Sequence, residues 1–356
     1  MALTTLRRIY AHNALQSFVE ASGGLFVAGF LVGQGLSPAL ALVSTALVLL
    51  SRFALRPAVL PLAHAYGLRT VLLLGVGIRA AGFLMLPLVA GVGPMLAAYI
   101  LVSGLGSVFY WNGFHAYVSA AGDNAAMGRQ VSIQQATTAT VGIVAPVAGG
   151  FLLAGAGPMV AFAVIAALQI LAGLPFVGAA NPVIDPTARA DRAIVRFGQR
   201  LYFAEGLQSG CAVVVWNLAL FVTLDQSFES FGGALALAGI GAAAGSLVIG
   251  RLIDGGRGGH SLVLAYGLGA AVLVLKALAW DSLMPALVAT ALGALAAPML
   301  ATAMLSPLYA MAQQSRCTLR FNMATEGGWD LGCSAACLIA AAMLASGFGY
   351  SLPILL

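Results

Sequence analysis

Residues 283–312 read LMPALVATALGALAAPMLATAMLSPLYAMA, a stretch that contains no Asp, Glu, Lys, Arg or His. A helix needs about 20 predominantly apolar residues to cross the hydrocarbon core of a bilayer. The stretch is therefore long enough to span a membrane, and it decides the class of fold. A chain that contains such a segment folds in lipid.

The composition of the whole chain agrees with this interpretation. Of its 356 residues, 61% are hydrophobic and 8% are charged, whereas soluble domains contain about 25% charged residues. The mean hydropathy is +0.99. The net charge of +5 comes from basic residues scattered singly between apolar runs, which excludes a nucleic-acid-binding surface. The chain is predicted to be one polytopic membrane protein, with no cofactor and no bound metal.

Ten further apolar runs surround residues 283–312, and they predict two halves joined by a polar linker. The halves are 1–180, with six helices, and 201–356, with five; the linker 181–200 is predicted to be either a short surface helix or a solvated loop. Residues after 348 begin a further run that stops at Leu356, so we expect a truncated twelfth helix and an exposed face covered by lipid or a partner. The eleven runs are 11–33, 37–66, 70–91, 94–120, 129–153, 158–180, 201–224, 231–253, 261–280, 283–312 and 319–346.

Basic residues are concentrated at the helix ends on one side of the predicted bundle. The opposite loops carry only Asp225, Glu229 and Asp281. Because Lys and Arg are enriched in cytoplasmic loops, we expect a multi-pass protein of the cell's inner membrane with its amino terminus and linker in the cytoplasm. The basic residues on this side are Arg7, Arg8, Arg69, Arg129, Arg189, Arg192, Arg196, Arg200, Arg251, Arg257, Arg316 and Arg320.

The two halves show weak internal similarity at an offset of about 190 residues. The triplet LQS occurs at 15–17 and again at 207–209, and Tyr117 matches Tyr309. Arg129 and Arg320 open the fifth and eleventh predicted helices. Together with the matching hydropathy, these pairs predict two parallel halves related by an axis along the membrane normal.

The loop after the eighth helix contains a motif that identifies a family resemblance. Residues 250–254 read GRLID and are followed by Arg257, which resembles the signature of the major facilitator superfamily: Gly, two positions, a small or apolar residue, Asp, then basic residues. The equivalent first-half loop, 62–69, reads LAHAYGLR and has His64 in place of the Asp. The alternative is that both are merely hydrophilic loops.

The resemblance implies an all-α fold of two parallel six-helix halves that work by alternating access. It also implies a conformational latch, in which charged groups at helix ends pair in one state and separate in another. Residues 142–150, GIVAPVAGG, are similar to the glycine-proline motif of the proton antiporter branch, although Ala145 stands where Gly is usual. A proline kink with small residues predicts close approach of neighbouring backbones here. The latch residues implied are Gly250, Asp254, Arg257, Gly67 and Arg69.

Ionisable residues inside predicted spans are costly and usually functional. In the first half, Glu20, Arg52, Arg56 and Arg79 lie within roughly 10–20 Å of the same surface, so we expect them to reach one another. One acid against three bases favours an anionic or zwitterionic solute. The alternative is a structural network that holds the first three helices together, of which Arg79 is the most natural member.

The second half has the opposite balance of charge. Glu326 and Asp330 are four residues apart on the eleventh helix and therefore share a face; Glu205 lies near the start of the seventh helix, and Lys276 is the lone base. Two carboxylates that repel each other in lipid should take up protons as a coupled unit. We predict that Glu326 and Asp330 carry the proton, with Glu20 as a further candidate. The alternative is that both acids face a hydrated vestibule.

Polar and aromatic residues that could line a central cavity cluster on five of the helices. They suit an organic solute held by hydrogen bonds and stacking. The predicted substrate-binding residues are Arg52, Arg56, Gln16, Tyr110, Trp111, Asn112, His115, Gln134, Gln135, Gln208, Trp216, Asn217 and Trp329. A copper(I) path through Cys333, Cys337, Met299, Met304 and Met311 is a minor alternative.

These observations predict a secondary transporter of a small organic solute that is proton-coupled and works as a monomer. An enzyme is not expected, because the sequence contains no HExxH helix, no GxSxG elbow and no paired acid motifs of a membrane protease. His64 and the short final run keep open a transport-inactive receptor or assembly factor. A channel would require rings of charge or a repeated filter loop, and the sequence shows neither.

Overall fold

The computed structural model describes residues 2–121, 127–182, 192–254, 258–315 and 317–356. Within these residues the chain is helical and contains no strand. The first half comprises α1 (Ala2–Ser22), α2 (Val27–Gly33), α3 (Pro38–Leu55), α4 (Val59–Tyr66), α5 (Leu68–Met85), α6 (Pro94–Ala121), α7 (Met127–Gly155) and α8 (Gly157–Gly173). The second half comprises α9 (Arg192–Ser209), α10 (Trp216–Thr223), α11 (Phe228–Asp254), α12 (Gly258–Ala279), α13 (Leu283–Gln314), α14 (Thr318–Ala345) and α15 (Ser351–Leu355).

Three pairs of these helices, α1 with α2, α3 with α4 and α9 with α10, each form one broken segment. In the part of the chain that the structure describes, ten segments are long and apolar enough to cross a membrane. An eleventh segment, α12, contains the shorter apolar stretch Tyr266–Ala279. Each of the eleven predicted runs therefore lies on a helical segment, ten of which qualify as spans, and the fold is that of an all-α multi-pass membrane protein.

Two segments begin nine residues earlier than the apolar runs predict, whereas the others begin within three residues of them. The first starts at Ala2, and α9 starts at Arg192, so the end of the predicted linker is the first part of a long helix. This extension is held by tertiary contacts, since Gln199 Nε2 donates to the Ala324 carbonyl at 2.9 Å. A Cβ added to Gly198 would lie 2.6 Å from Thr325 Cγ2. Residues 183–191 lie outside the described part of the chain.

The final residues form the short helix α15, which packs on α12. Ser351 Oγ donates to the Ala277 carbonyl at 2.7 Å and accepts from Trp280 Nε1 at 2.8 Å. The Trp280 and Tyr350 rings lie 5.4 Å apart. These polar contacts fix the last described turn against the second half.

The motif at 142–150 lies where α7 of the first half meets α11 of the second half. A Cβ added to Gly239 would lie 2.6 Å from Ile143 N, and one added to Gly232 would lie 3.1 Å from the Pro146 carbonyl carbon. Only glycine permits such close approach of two backbones. The close packing predicted for this motif is confirmed, and it forms much of the interface between the halves.

The first segment of each half loses regular α-helical geometry just after its LQS triplet. In the first half α1 ends at Ser22 and is followed by a 3₁₀ turn at Gly24–Phe26. In the second half α9 ends at Ser209 and is followed by a π-helical turn at Gly210–Val215. Such irregular turns inside helices are frequent at functional sites. Each half therefore begins with a broken segment, although at the 192-residue offset of the LQS triplets the first break falls on 216–218, in α10, and not on the second break.

Candidate functional site

A cavity of about 540 Å³ lies between the two halves. This volume lies within the range of small-molecule sites, about 300–1,000 Å³. Both helix breaks contribute to the wall, the first through Gly24 and Leu25 and the second through Val213 and Val214. Discontinuous helices near the membrane centre are a feature of solute sites in transporters.

The helix α6 presents a stripe of polar and aromatic side chains to this cavity. Tyr99, Ser103, Ser107, Trp111 and His115 all line it, at a spacing of four residues that places them on one helix face. Sequence reasoning found Trp111 and His115 but missed the other three. The four-residue spacing from Tyr99 to His115 is the signal that would have found them.

The structure places only some of the predicted substrate-binding residues in the cavity wall. Those that line it are Arg52, Trp111, His115, Asn217 and Trp329. Glu20 and Glu326, predicted to carry protons, line it as well. The described part of the chain also contributes Glu205 and Tyr202.

The other predicted substrate-binding residues lie outside the cavity lining, where several hold helices together. Asn112 donates to the Val108 carbonyl at 2.9 Å, and Trp216 Nε1 donates to Thr290 Oγ1 at 3.2 Å. Tyr110 is hydrogen-bonded to His12 at 2.9 Å. The remaining five are Arg56, which is paired with Asp330, Gln16, which exchanges hydrogen bonds with Gln169, the buried Gln134, and the partly buried Gln135 and Gln208.

The acid pair on α14 is neutralised by arginines from the first half. Arg52 lies between the two acids, with Nη2 3.3 Å from Glu326 Oε2 and Nε 3.1 Å from Asp330 Oδ1. Arg56 forms an ion pair with Asp330 and donates to the Met323 carbonyl at 2.8 Å. All four side chains are at most 7% exposed. The two acids share a face, as predicted, but their partners come from the other half.

His115 adds a third first-half group to this cluster. Its Nδ1 lies 2.7 Å from Glu326 Oε1, so a neutral ring protonated at Nδ1 donates to the carboxylate. We call Arg52, Arg56, His115, Glu326 and Asp330 the cross-half network. It forms because α3 packs along α14, where Ser334 Oγ also donates to the Ala46 carbonyl at 3.3 Å.

Glu20 makes its ion pair within the first half. Its partner is Arg79, which also donates to Ser107 Oγ at 3.2 Å and stacks on the Tyr110 ring at 5.1 Å. The expected meeting of Glu20 with Arg52 and Arg56 is wrong, because those two arginines turn towards α14. Arg79 therefore has the structural position expected of it.

Lys276, the predicted lone base, binds to the break in its own half. Its Nζ donates to the Ala212 carbonyl, within the π-helical turn, at 2.8 Å and lies 5.0 Å from the centre of the Trp216 ring. Lys276 is 7% exposed and is outside the cavity lining. Lys276 therefore contacts the break between α9 and α10 from outside the cavity.

The similarity to a solved structure agrees with this architecture. The chain superposes on the crystal structure of the human organic anion transporter MFSD10 (TETRAN) with a TM-score of 0.72, over 99% of this chain and 96% of that chain. The chain has the fold of a major facilitator superfamily transporter. The sequence identity is 15%, so the likeness shows the fold alone. No family model matches the sequence, and no curated protein matches it by sequence.

The predicted latch residues of the first half make contacts with their own half and with the first residue of the linker. Gly67 has a φ of +83°, which disfavours any other residue. Arg69 donates from its backbone N–H to Asn181 Oδ1 at 3.0 Å and from Nη1 to the Ala179 carbonyl at 2.7 Å. In the second half Gly250 and Asp254 end α11, but the side-chain surroundings of both, and Arg257 itself, lie outside the described part. The latch stays a prediction.

The sulfur-containing residues considered for copper are dispersed. Cys333 and Cys337 are buried in α14 and do not line the cavity, whereas Met304 does. The cysteines pack in the core formed by both halves. Among the described residues, no three His, Cys, Asp or Glu side chains are grouped so that they could hold a metal ion.

Proposed function

We propose that this protein is a secondary transporter that moves a small organic solute by alternating access between its two halves, coupled to protons. The observation that carries the proposal is the cross-half network at the wall of the cavity. Ion pairs that join two moving bodies must break when those bodies separate. A network in this position therefore links the conformation of the protein to its charge state.

Protons supply a way to break the network. Separating a buried Arg from a buried carboxylate leaves two uncompensated charges, which is strongly unfavourable. If Glu326 and Asp330 take up protons, the separated acids are neutral, and Arg52 and Arg56 are left to water or to a solute. Proton uptake by these two acids thus favours the state in which the halves are apart.

The cavity wall suggests how the solute is held. Arg52 and Arg79 can attract an anionic group in bidentate fashion when their own acids are protonated, and Trp111 and Trp329 offer faces for stacking. The similar solved structure is described as an organic anion transporter, which agrees with an anionic group on the solute. One chain supplies the whole cavity, so we propose a monomer as the working unit.

We propose that the protein lies in the inner membrane of the cell, with its amino terminus in the cytoplasm. It rests on the one-sided distribution of basic residues. A cysteine at Asp225 in a cysteine-free variant should react with an impermeant thiol reagent on intact cells. Labelling that appears only after lysis contradicts the orientation.

The coupling is tested in proteoliposomes that contain a trapped pH indicator. A panel of organic cations, zwitterions and anions is added outside, and solute-dependent proton flux is recorded. Wild type and the exposed control Glu229→Gln, in the first turn of α11, should show the flux. Glu326→Gln with Asp330→Asn should lose it. Full flux in that double variant overturns the assignment and makes Glu20 the next candidate. The alternative, favoured by His64 at the predicted latch position, is a transport-inactive receptor. Such a protein should give no flux with any solute.

A further inference from the structure

Glu205 stands out because it lines the cavity without a basic partner. Its Oε1 accepts from Ser209 Oγ at 3.0 Å, and it lines the cavity on the α9 side. Among the described residues no Lys, Arg or His lies within ion-pair distance of it. The sequence placed Glu205 near the start of a helix but gave no role to it.

Close packing of α9 on α14 gives Glu205 an aromatic neighbourhood. A Cβ added to Gly206 would lie 2.8 Å from Trp329 Cα, and one added to Gly332 would lie 2.9 Å from Leu207 N. The two backbones therefore touch directly after the acid in the chain. This contact places Glu205 and Trp329 in the same part of the cavity wall.

The bases around the cavity are already used by other acids. Arg79 is paired with Glu20, and Arg52 and Arg56 are paired with Glu326 and Asp330. Lys276 binds to the Ala212 carbonyl outside the cavity lining. His115 is bound to Glu326, so no described base compensates the charge of Glu205. A carboxylate in a half-enclosed cavity attracts a positive charge.

A second group in the same wall also lacks a partner. Tyr202 lies one turn before Glu205, is 3% exposed and lines the cavity. Its hydroxyl is buried and makes no hydrogen bond to any described residue. Buried polar groups without partners require an explanation such as a ligand or water. A proton on Glu205 would remove its charge but would leave this hydroxyl unsatisfied.

We infer that Glu205 and Tyr202 form the subsite that binds an ammonium group of the solute, in the cavity wall that Trp111 also lines. The carboxylate accepts a charge-assisted hydrogen bond from the ammonium group, the hydroxyl accepts a second one, and the face of Trp111 attracts the cation. The Trp329 ring already has the Arg52 guanidinium over it, 5.7 Å from its centre. The inference rests on the proposed transport function and narrows its substrate class to organic solutes that carry an amine. An anionic group on the same solute would make it a zwitterion.

Three ligands with similar skeletons test this subsite: 2-phenylethylamine, 2-phenylethanol and 3-phenylpropionate. Binding to purified protein in detergent is followed by tryptophan fluorescence, since Trp111 and Trp329 line the cavity. Wild type should bind the amine about tenfold more tightly than the alcohol, the size expected for a charge-assisted hydrogen bond. Glu205→Gln should remove this preference and leave binding of the alcohol unchanged.

Two further variants guard against misfolding and indirect effects. Tyr202→Phe should weaken binding of the amine about tenfold, as expected for loss of one hydrogen bond from a charged donor. Glu229→Gln, exposed in the first turn of α11 and outside the cavity lining, should bind as wild type does. Equal affinity of wild type for the amine and the alcohol, or binding of neither, overturns the inference. An amine preference that survives in Glu205→Gln also overturns it.

The outcome is separable from that of the transport experiment. Ligand binding in detergent needs neither a pH gradient nor movement of the halves. Solute-dependent proton flux without a preference for the amine would refute the ammonium subsite and would support the transport proposal. An amine preference that depends on Glu205, with no solute-dependent proton flux, keeps the subsite and removes the transport proposal.

Discussion

Two ion-paired clusters border the cavity, and they differ in where their partners lie. Glu20 and Arg79 belong to the same half, so their ion pair can persist while the halves move. The cross-half network joins α3 and α6 to α14, so the same motion must break it. In the proposed mechanism, the charges therefore have two uses: one pair holds a single half together, and the other cluster joins the two halves reversibly.

The largest effect is expected where two arginines would lose a shared acid. Asp330→Ala leaves Arg56 buried without its ion-pair partner, and breaking such a pair costs about 3–5 kcal/mol. Equilibrium unfolding in mixed micelles measures the loss. The double variant Arg56→Met with Asp330→Leu should recover most of it, because apolar residues of similar volume replace a buried pair at little cost. A single variant as stable as wild type would show that Asp330 is hydrated.

A smaller effect is expected when Glu326 becomes neutral but keeps its shape. Glu326→Gln weakens its hydrogen bonds to Arg52 and His115, and the loss of one charged hydrogen bond corresponds to about 1.5–3 kcal/mol. The halves should open at least about tenfold more often. The reporter is a cysteine in place of Asn322, which contacts Ser119 across the interface at 3.4 Å. In a background without other cysteines, Glu326→Gln should raise the alkylation rate of this cysteine above that of wild type. An unchanged rate would show that Glu326 does not help to hold the halves together.

The pair within one half should behave differently in the same assay. Glu20 is 35% exposed, so Glu20→Gln should lower the free energy of unfolding by about 1 kcal/mol or less. The alkylation rate at position 322 should match that of wild type, because no contact between the halves is lost. If alkylation at position 322 is as fast in Glu20→Gln as in Glu326→Gln, the two clusters do not differ in their effect on the separation of the halves.

The smallest effect is expected at Lys276, whose hydrogen bond also stays within one half. Lys276→Met removes the contact with the Ala212 carbonyl but also removes a buried charge, and the two changes offset each other to within about 1 kcal/mol. Unfolding and the alkylation rate should both stay close to wild type. A loss of stability as large as that of Asp330→Ala would mean that Lys276 holds the π-helical turn in place.

Much of the fold could be predicted because lipid imposes a length on each helix. The runs of about 20 apolar residues gave the eleven spans, and the four-residue spacing of Glu326 and Asp330 gave their shared face. The glycines of 142–150 gave the close contact of α7 with α11. These features depend on one helix at a time, or on residues too small to prevent contact.

The choice of partners could not be predicted, because it depends on how each helix is rotated and on its neighbours. Arg52 and Glu20 lie at similar depths, which suggested a pair, yet α3 turns Arg52 towards α14. Trp216 and Trp329 look alike in the sequence, but Trp216 bonds to Thr290 inside the second half while Trp329 faces the cavity. The depth of a residue in the membrane can be counted along the sequence of its helix. The rotation of the helix about its own axis depends on how it packs against its neighbours.

The central claim is that the cross-half network holds the halves together and that protons release it. His64 in the first half and Phe197 in the second half are both exposed, at helix ends on the same side of the bundle as the amino terminus. The distance between spin labels at these two positions, measured by pulsed electron resonance without any solute, reports the separation of the halves. In wild type the distance should lengthen from neutral to mildly acidic pH. The double variant Glu326→Gln with Asp330→Asn should show the longer distance already at neutral pH, and Glu20→Gln should follow wild type. A double variant with the neutral-pH distance of wild type would contradict the account.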